Sequence, residues 1–166
     1  RIMGPKYMTA GLGDGGGCNP RDNIALRSFA DRHGIGYDLF DAIMIAREEQ
    51  ALNIAKHFEL VGVPDGMPCV VLGSGFKPGL ADQQEGSPSI LVGYYLEQLG
   101  WDVSYDNVLQ EPAAYMLGWP KHFDNHKFAP GSYIIDPWRS CMDGGKDVKV
   151  FHYGNSRKDL LGSIPD

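Results

Sequence analysis

The chain has 166 residues, of which 15 are basic and 21 acidic, so its formal net charge is −6. The acidic balance disfavours nucleic acid as a partner, no apolar run approaches a membrane span, and three cysteines are too few for a disulfide scaffold. We therefore expect a cytoplasmic protein without a nucleic-acid or membrane partner. Because the sequence begins at Arg1, we also expect it to be a piece of a longer chain.

The first part of the chain predicts a loop followed by two helices. Glycine and proline crowd residues 1–20, which indicates a loop. Asn19 as a cap and Pro20 in the first turn then predict a helix, whose apolar residues recur at helical spacing up to His33. A second helix is predicted to start after Asp38.

The second part of the chain alternates short apolar runs with helical patterns. The β-branched run that opens at Cys69 and ends in glycines predicts a buried strand. The later elements are predicted in this order: a helix over 87–100, a strand over 101–106, a short helix over 111–117, and strands over 132–136 and 147–153.

Strand–helix–strand segments with short links are typical of a mainly parallel sheet. We therefore predict an α/β protein in which a helical segment is followed by a Rossmann-like, mainly parallel sheet domain. The helical segment is assigned to residues 1–66 and the sheet domain to residues 67–166, with the boundary in a loop that contains proline and glycine.

The densest chemical signal is the segment GLGDGGGCNPRD, residues 11–22. Its glycines match G-x-G-x-x-G only weakly, because the residues before them make a poor strand. Cys18 comes directly before a predicted helix, where the helix dipole and exposed amides favour the reactive thiolate. Asp22 follows one turn later, near enough to act on a water molecule or to orient a base. The alternative for Cys18 is a buried, inert cysteine.

A second candidate site lies at the carboxyl edge of the predicted sheet, where open α/β sheets bind ligands. Lys77 stands there on a turn, and Asp106 ends the next strand at a position that suits a ribose-binding acid. The alternatives are a solvated lysine and a carboxylate that caps a turn. Trp138 and Arg139 follow a later strand at the same edge.

Other reactive side chains carry weaker signals. His122 and His126 are four residues apart with Asp124 between them, but the segment is rich in loop residues and no third ligand is evident. We therefore predict no metal site. Cys69 opens a core strand and is expected to be buried, whereas the sequence leaves Cys141 undecided.

Two separated motifs resemble those of one enzyme family. GLGDGGGCNPRD is similar to the G-x-G-x-G-G-x-C-x-P-K-D motif of the UDP-glucose/GDP-mannose (nucleotide-sugar) dehydrogenases, with Arg21 in place of the usual lysine. VVLGSGFKPGLADQQEGSPSILVGYYLEQLGWDVSYD is similar to the family's carboxyl-terminal sugar-nucleotide-binding domain, and SYIIDPWR resembles a later strand of that domain. The chain thus resembles the end of the family's central domain followed by its last domain.

The resemblance implies an enzyme that oxidises the primary alcohol of a UDP- or GDP-sugar to a carboxylate with two NAD. Cys18 corresponds to the nucleophile that holds the substrate as a thiohemiacetal and then as a thioester. Asp22 corresponds to the residue that positions or deprotonates water. The resemblance also implies a homodimer and an NAD-binding domain outside this chain, so we expect the chain alone to be inactive.

Binding residues follow from the same resemblance. Phe76 and Lys77 correspond to substrate-binding positions, Arg139 corresponds less closely to an arginine that meets the nucleotide, and Arg21 is assigned to the cofactor. The loop residues expected to lie along the sugar are Leu12, Gly13, Asp14 and Gly15.

Several positions depart from the family pattern. Gln84 replaces the arginine of R-E-S-P, a cofactor contact, and Gly86 is an extra residue beside it. Arg47 replaces the asparagine of V-N-x-x-Q although Gln50 is kept, and Asp14 replaces an apolar residue. Since the predicted nucleophile, the water-positioning acid and the substrate lysine are all kept, we interpret the chain as a divergent subfamily whose sugar nucleotide is left open.

Two other classes of function stand as alternatives. One is a non-catalytic nucleotide-binding or dimerisation module on the same fold. The other is a cysteine hydrolase that pairs Cys18 with a histidine, but no motif ties a histidine to that cysteine, and His33 lies on the predicted apolar stripe. An unreactive Cys18 thiol would favour the binding module over the dehydrogenase.

Overall fold

A computed structural model of the chain describes residues 10–13, 16–80, 82–120 and 127–154. The helices and strands within these ranges are α1 (Cys18–Arg32), α2 (Leu39–Leu60), β1 (Cys69–Leu72), α3 (Pro88–Gln98), β2 (Val103–Tyr105), β3 (Ala114–Leu117), β4 (Tyr133–Asp136) and β5 (Lys149–His152).

The strands form one parallel sheet in the order β2-β1-β3-β4-β5. Val70 of β1 pairs with Ser104 of β2 on one side and with Tyr115 of β3 on the other. Every residue of β1, β3 and β4 is buried, as expected of parallel strands that are covered on both faces. The predicted α/β class, with a helical segment followed by a parallel sheet, is confirmed.

The strand β3 differs from what the sequence predicts for this segment. The sequence predicts a short helix over 111–117, but Ala114–Leu117 form a strand between β1 and β4. All its residues are buried, whereas a short surface helix would keep an exposed polar face. A run that is apolar on both sides suits a central parallel strand, so the described residues form a sheet of five strands, whereas the sequence predicts four.

α2 connects the first part of the chain to the sheet. As predicted, it begins after Asp38, whose carboxylate accepts the amides of Phe40 and Asp41 at 3.0 and 3.1 Å. Its second half buries Ile54 and Phe58 in a core shared with α3 and one face of the sheet. The division of the chain at residues 66 and 67 stays a prediction.

Loops cover the opposite face of the sheet. Tyr115 of β3 packs there against Phe128, with ring centroids 4.7 Å apart, and its hydroxyl accepts the amide of Leu109 at 3.0 Å. The helices α2 and α3 thus lie on one face and irregular segments on the other. This leaves the carboxyl edge of the sheet, where β1, β3 and β4 end, to meet the glycine loop before α1.

α1 is mostly exposed. Of the predicted apolar stripe only Ala30 is buried, while Leu26 and Phe29 are 43% and 52% exposed. α1 packs on α2, where Arg27 Nη1 lies 3.1 Å from Asp41 Oδ1. The apolar residues on its remaining surface are therefore open in this chain.

Within the described ranges, no helix combines the length and the apolar character needed to cross a membrane.

Candidate functional site

Cys18 is the first residue of α1 and is exposed. The sequence predicts Asn19 as the cap and Pro20 in the first turn, but the helix starts earlier, with Gly17 in the N-cap position. Gly17 has no side chain to accept a hydrogen bond from the first-turn amides. The thiol therefore sits within the first turn rather than in the loop before it.

The loop that leads to Cys18 rests on the segment after β1. Gly16 has a φ of +90°, a left-handed conformation that favours glycine. A Cβ at Gly16 would come within 3.2 Å of the Phe76 ring, so the backbone lies close to the aromatic face. The structure thus brings the predicted nucleophile and a predicted substrate-binding residue to one place.

Arg21 links the two predicted catalytic residues. Its Nε donates to Asp22 Oδ1 at 2.9 Å, with both side chains exposed. This hydrogen bond, together with the negative charges of Asp22 and then of Cys18, raises the pKa of Arg21 above its usual value. The start of α1 therefore carries a thiol and a guanidinium in its first turn, with the Asp22 carboxylate following directly.

A cavity of about 280 Å³ opens beside this turn. The residues around it come from the start of α1 and the loop before α3: Gly17, Pro20, Arg21, Ile24, Glu85 and Gly86. A Cβ at Gly17 would approach the Glu85 carboxyl carbon to 3.3 Å, so the two walls are in contact. The cavity presents a cation on one wall and a carboxylate on the other.

Phe76 and Lys77 lie in the turn that follows β1, at the carboxyl edge of the sheet. Lys77 is exposed, and its Nζ lies 5.3 Å from the centroid of the Phe76 ring. Because Phe76 contacts Gly16, the lysine stands near the cysteine loop. A cation held there suits an anionic ligand group such as a phosphate.

Trp138, which follows β4, supports the other end of the glycine loop. Its indole Nε1 donates to the Leu117 carbonyl at 3.1 Å, and a Cβ at Gly11 would collide with the indole ring. The sequence placed Trp138 at this edge, but no local pattern predicts its contact with Gly11. The neighbouring Arg139 has a φ of +54°, and its guanidinium donates to the Gly154 carbonyl at 3.0 Å, beyond β5.

Leu12 and Gly13 lie between these two supports. The Leu12 side chain is buried in the core shared with α2, so it serves packing. A Cβ at Gly13 would lie 3.0 Å from Gln50 Oε1, which places that α2 residue against the loop. Asp14 and Gly15, the other two residues predicted to lie along the sugar, are outside the described residues.

Two departures from the family pattern contact each other. The Gly86 carbonyl accepts both the Gly16 amide and Arg47 Nη2, each at 3.2 Å. A third departure, Gln84, donates from Nε2 to Ser74 Oγ at 3.1 Å. The sequence identifies each of these positions separately, but contacts between distant segments are invisible in it.

Asp106 caps the turn after β1. Its Oδ1 accepts the amides of Gly73 and Ser74 at 2.6 and 3.2 Å, and the Ser74 hydroxyl donates to Oδ2. The carboxylate is thus engaged by the turn. The structure therefore favours the capping alternative over a ribose-binding acid.

The remaining cysteines are buried. Burial raises the pKa of the Cys69 thiol to about 12, with a smaller effect from Asp102, as expected of an inert cysteine. Cys141 is buried as well, and its amide donates to Asp136 Oδ2 at 2.7 Å. Cys18 is therefore the exposed thiol of the described chain.

The position of His33 does not favour a pair with Cys18. The His33 ring packs on Phe29 in a tilted arrangement at the opposite end of α1 from Cys18, with ring centroids 4.2 Å apart. His122 and His126 are outside the described residues. Among the residues that the structure does describe, no group of three or more His, Cys, Asp or Glu side chains is placed to hold a metal ion.

The chain is similar to curated UDP-glucose 6-dehydrogenases. It is 34% identical over 117 residues to UDP-glucose 6-dehydrogenase TuaD of Bacillus subtilis (strain 168), a match that covers 69% of this chain and 25% of the relative. It is 32% identical over 113 residues to UDP-glucose 6-dehydrogenase AglM of Haloferax volcanii, covering 66% of this chain and 25% of that protein. No protein-family model matches the chain.

A solved structure shares the fold. A UDP-glucose dehydrogenase from the hyperthermophilic archaeon Pyrobaculum islandicum superposes with a TM-score of 0.66 and 20% identity, over 91% of this chain and 40% of that one. The parallel sheet, with a glycine loop at its carboxyl edge, defines a Rossmann-like α/β protein. The curated relatives support the UDP-glucose dehydrogenase family over 69% and 66% of this chain, and the solved structure shows the same fold. The chain spans about a quarter of the length of the curated relatives it matches.

Proposed function

We propose that the chain is the catalytic-cysteine and sugar-nucleotide-binding part of a nucleotide-sugar 6-dehydrogenase. One observation carries the proposal: Cys18 is exposed at the start of α1, and its loop rests on Phe76, next to Lys77. A nucleophile and a cation suited to a diphosphate thus share one edge of the sheet. The curated relatives carry the name UDP-glucose 6-dehydrogenase, which supports the same activity.

The proposed reaction converts the primary alcohol of a UDP- or GDP-sugar to a carboxylate in two two-electron oxidations. Cys18 Sγ would add to the carbon of the intermediate aldehyde, and the resulting thiohemiacetal would keep the aldehyde bound. Loss of a hydride from that carbon and of the proton from its hydroxyl oxygen would then give a thioester. Water then adds to the thioester and the C–S bond breaks, which releases the carboxylate and regenerates the thiol.

The residues around Cys18 suit these steps. The uncapped amides at the start of α1 would donate to the oxyanion that forms on the carbon bound to sulfur. Asp22 would position or deprotonate the water that cleaves the thioester, from an exposed site one turn after the nucleophile. Its hydrogen bond to Arg21 would hold the carboxylate in place while one oxygen accepts from water.

NAD, when bound, would supply the hydride acceptor for both oxidations. The cavity beside Cys18 fits one edge of such a cofactor, because Arg21 offers a cation and Gly17 a helix-start amide to a pyrophosphate. Glu85 on the opposite wall is negatively charged and would repel the phosphates. The cavity therefore suits a pyrophosphate only on its Arg21 side. We propose that most of the cofactor site lies in a domain outside this chain and that the chain alone is inactive.

A non-catalytic dimerisation or nucleotide-binding module is the second candidate. The observation that favours it is the exposed apolar surface of α1, which includes Ile24 and Phe29. Both candidates are compatible with a homodimer and with a sugar nucleotide as ligand. The cytoplasmic location stays an expectation from the cysteine content.

The test uses the full-length protein, supplied with NAD and either UDP-glucose or GDP-mannose. We expect one of them to yield its sugar acid, and the Cys18→Ser variant to stall at or after the aldehyde. Asn19→Ala, at the exposed neighbouring position, is the control and should turn over normally. Near-normal acid formation by Cys18→Ser would contradict the nucleophile assignment, and an inactive wild-type protein would favour the second candidate.

A further inference from the structure

We propose that Arg47 is a positioning residue that fixes the loop leading to Cys18 through the carbonyl of Gly86. The role rests on the function proposed above, since it is defined relative to Cys18. Arg47 belongs to α2, Gly86 to the loop before α3, and the cysteine loop to the segment before α1. Three segments that are distant in sequence thus meet at one carbonyl oxygen.

The Gly86 oxygen accepts two hydrogen bonds. Gly16 donates from its backbone amide and Arg47 from Nη2, both at 3.2 Å. A carbonyl oxygen has two lone pairs, so both donors are accommodated. The guanidinium bond is charge-assisted, so it is the stronger of the two and fixes the oxygen to which the Gly16 amide donates.

The backbones at this junction touch so closely that a side chain does not fit. Gly86 has a φ of +69°, and a Cβ there would lie 2.5 Å from the carbonyl carbon and oxygen of Gly16. Gly16 itself has a φ of +90°. Glycines lose more conformational freedom on folding than other residues do. Two glycines that touch at positive φ therefore need strong hydrogen-bond partners to keep a single backbone conformation. Arg47 supplies such a partner.

Arg47 is itself firmly held. Its side chain is 12% exposed, and its Nη1 lies 3.7 Å from Glu48 Oε1. Glu48 in turn accepts the Tyr95 hydroxyl at 2.8 Å, a hydrogen bond that raises the pKa of Tyr95 and joins α2 to α3. The guanidinium therefore reaches Gly86 from a position fixed by two packed helices.

The consequence for Cys18 follows from how α1 begins. Gly17 gives the helix no side-chain cap, and Glu85 packs on Gly17 from the same loop as Gly86. The first turn of α1 is thus held from outside, by residues 85 and 86, and that loop is held by Arg47. Without Arg47, Gly16 should be released and the first turn, with Cys18, should fray.

Amide hydrogen exchange in the 166-residue chain tests the first step. In Arg47→Met, we expect the Gly16 amide to exchange about tenfold faster or more, because its acceptor is no longer fixed. Arg47→Lys keeps a cation and a donor at this position and should restore at least part of the protection. Lys56→Met removes an exposed cation from the same helix and should leave Gly16 unchanged.

Alkylation by iodoacetamide tests the second step. In Arg47→Met, the rate of Cys18 alkylation should change by about threefold or more, because a frayed first turn no longer holds the thiol in one position. Arg47→Lys should recover the rate, and Lys56→Met should not alter it. The Cys18→Ser variant gives the background from the two buried cysteines.

Three results would overturn the proposal: unchanged Gly16 exchange in Arg47→Met, an equal change in Lys56→Met, or no recovery in Arg47→Lys. If circular dichroism shows that Arg47→Met does not fold, Gly86→Ala takes its place, since its Cβ must displace Gly16 and should produce the same two changes. Neither measurement needs cofactor or sugar nucleotide. A failure of the positioning role would therefore leave the dehydrogenase assignment standing. A failure of the dehydrogenase assignment would likewise leave the contact between Arg47 and Gly86 standing.

Discussion

The hydroxyl of Ser74, in the turn after β1, donates to the carboxylate of Asp106 at the end of β2. The same carboxylate accepts the amides of Gly73 and Ser74, so a single acid satisfies three donors of one turn. Phe76 follows directly from this turn. The position of a predicted substrate-binding residue therefore depends on an acid that belongs to another strand.

Asp106→Asn should destabilise the protein. The side-chain amide that replaces the carboxylate carries an NH2 donor, which would face the donors of the turn. One or more of the turn's donors would then lose its acceptor. We expect a loss of about 1–3 kcal/mol in the free energy of unfolding. Urea unfolding measures it, with Glu111→Gln, an exposed acid in the following segment, as the control. Equal stability of Asp106→Asn and the wild type would show that the turn does not need the carboxylate.

Asp22→Asn should slow thioester hydrolysis in the full-length enzyme. The amide keeps the shape of the side chain but cannot take a proton from water, so the acyl-enzyme on Cys18 should accumulate. Mass spectrometry of the quenched reaction would detect the added mass. Asp31→Asn, an exposed acid further along α1, should turn over normally. Unchanged steady-state turnover in Asp22→Asn would rule out the assignment.

Local chemistry predicted much of the fold. The cap at Asp38, the proline that opens α3 and the apolar run of β1 each depend on a few neighbouring residues, and the structure shows all three elements. β3 was predicted wrongly because a short apolar run has no periodicity that separates a strand from a helix. Its pairing with β1 and β4 decides the outcome, and those partners are far away in the sequence.

For the candidate site too, the sequence does not predict contacts between distant segments. Cys18, Asp22 and Lys77 were predicted from local motifs, and their roles stay predictions. The contacts that seat the loop, Trp138 on Gly11 and Arg47 on Gly86, join segments that no local motif connects. Glycines that permit close approach mark such places in the sequence, but they do not say which partner approaches.

Lys77→Ala should weaken binding of the sugar nucleotide to the chain. Lys77 is exposed at the carboxyl edge of the sheet, where its charge would meet an anionic group of the ligand. We expect about tenfold weaker affinity, which corresponds to roughly 1.4 kcal/mol. Titration calorimetry with UDP-glucose and GDP-mannose measures it, with Lys146→Ala as an exposed control lysine. Identical affinities for Lys77→Ala and the wild type would refute the contact.

His57 should make the stability depend on pH. It is 6% exposed and packs edge-on against Tyr153, and burial lowers its pKa below the usual 6.5. The unfolded chain therefore binds a proton at a higher pH than the folded chain does. Stability is full above about pH 6.5 and falls as the pH decreases toward the lower folded pKa.

Urea unfolding at pH 7.5 and pH 5, about one unit or more to either side of the unfolded pKa, tests this effect. His57→Leu should lose less stability than the wild type on acidification, whatever its stability at the higher pH. His33→Gln, which removes an exposed histidine, should keep the wild-type pH dependence. An identical loss in His57→Leu and the wild type would assign the effect to other groups.

The apolar surface of the first two helices should make the chain self-associate. Its exposed side chains, in chain order, are Ile24, Leu26, Phe29, Ile35, Tyr37, Leu39, Ile43 and Ile45. Monomeric proteins rarely leave so large an apolar group uncovered, and a second copy of the same surface covers it most simply as a symmetric dimer. The sequence places this contact within residues 21–58, where the predicted apolar stripes lie.

Sedimentation equilibrium of the 166-residue chain should therefore show a dimer that dissociates on dilution. Phe29→Glu places a charge in the centre of the α1 surface and should weaken the dimer by about tenfold or more, because an unpaired charge in an apolar interface is costly. Tyr94→Glu, at a half-exposed aromatic residue on α3, leaves that surface intact and should associate as the wild type does. A wild-type monomer at the highest concentration, or a dimer broken by Tyr94→Glu rather than Phe29→Glu, would move the contact away from α1.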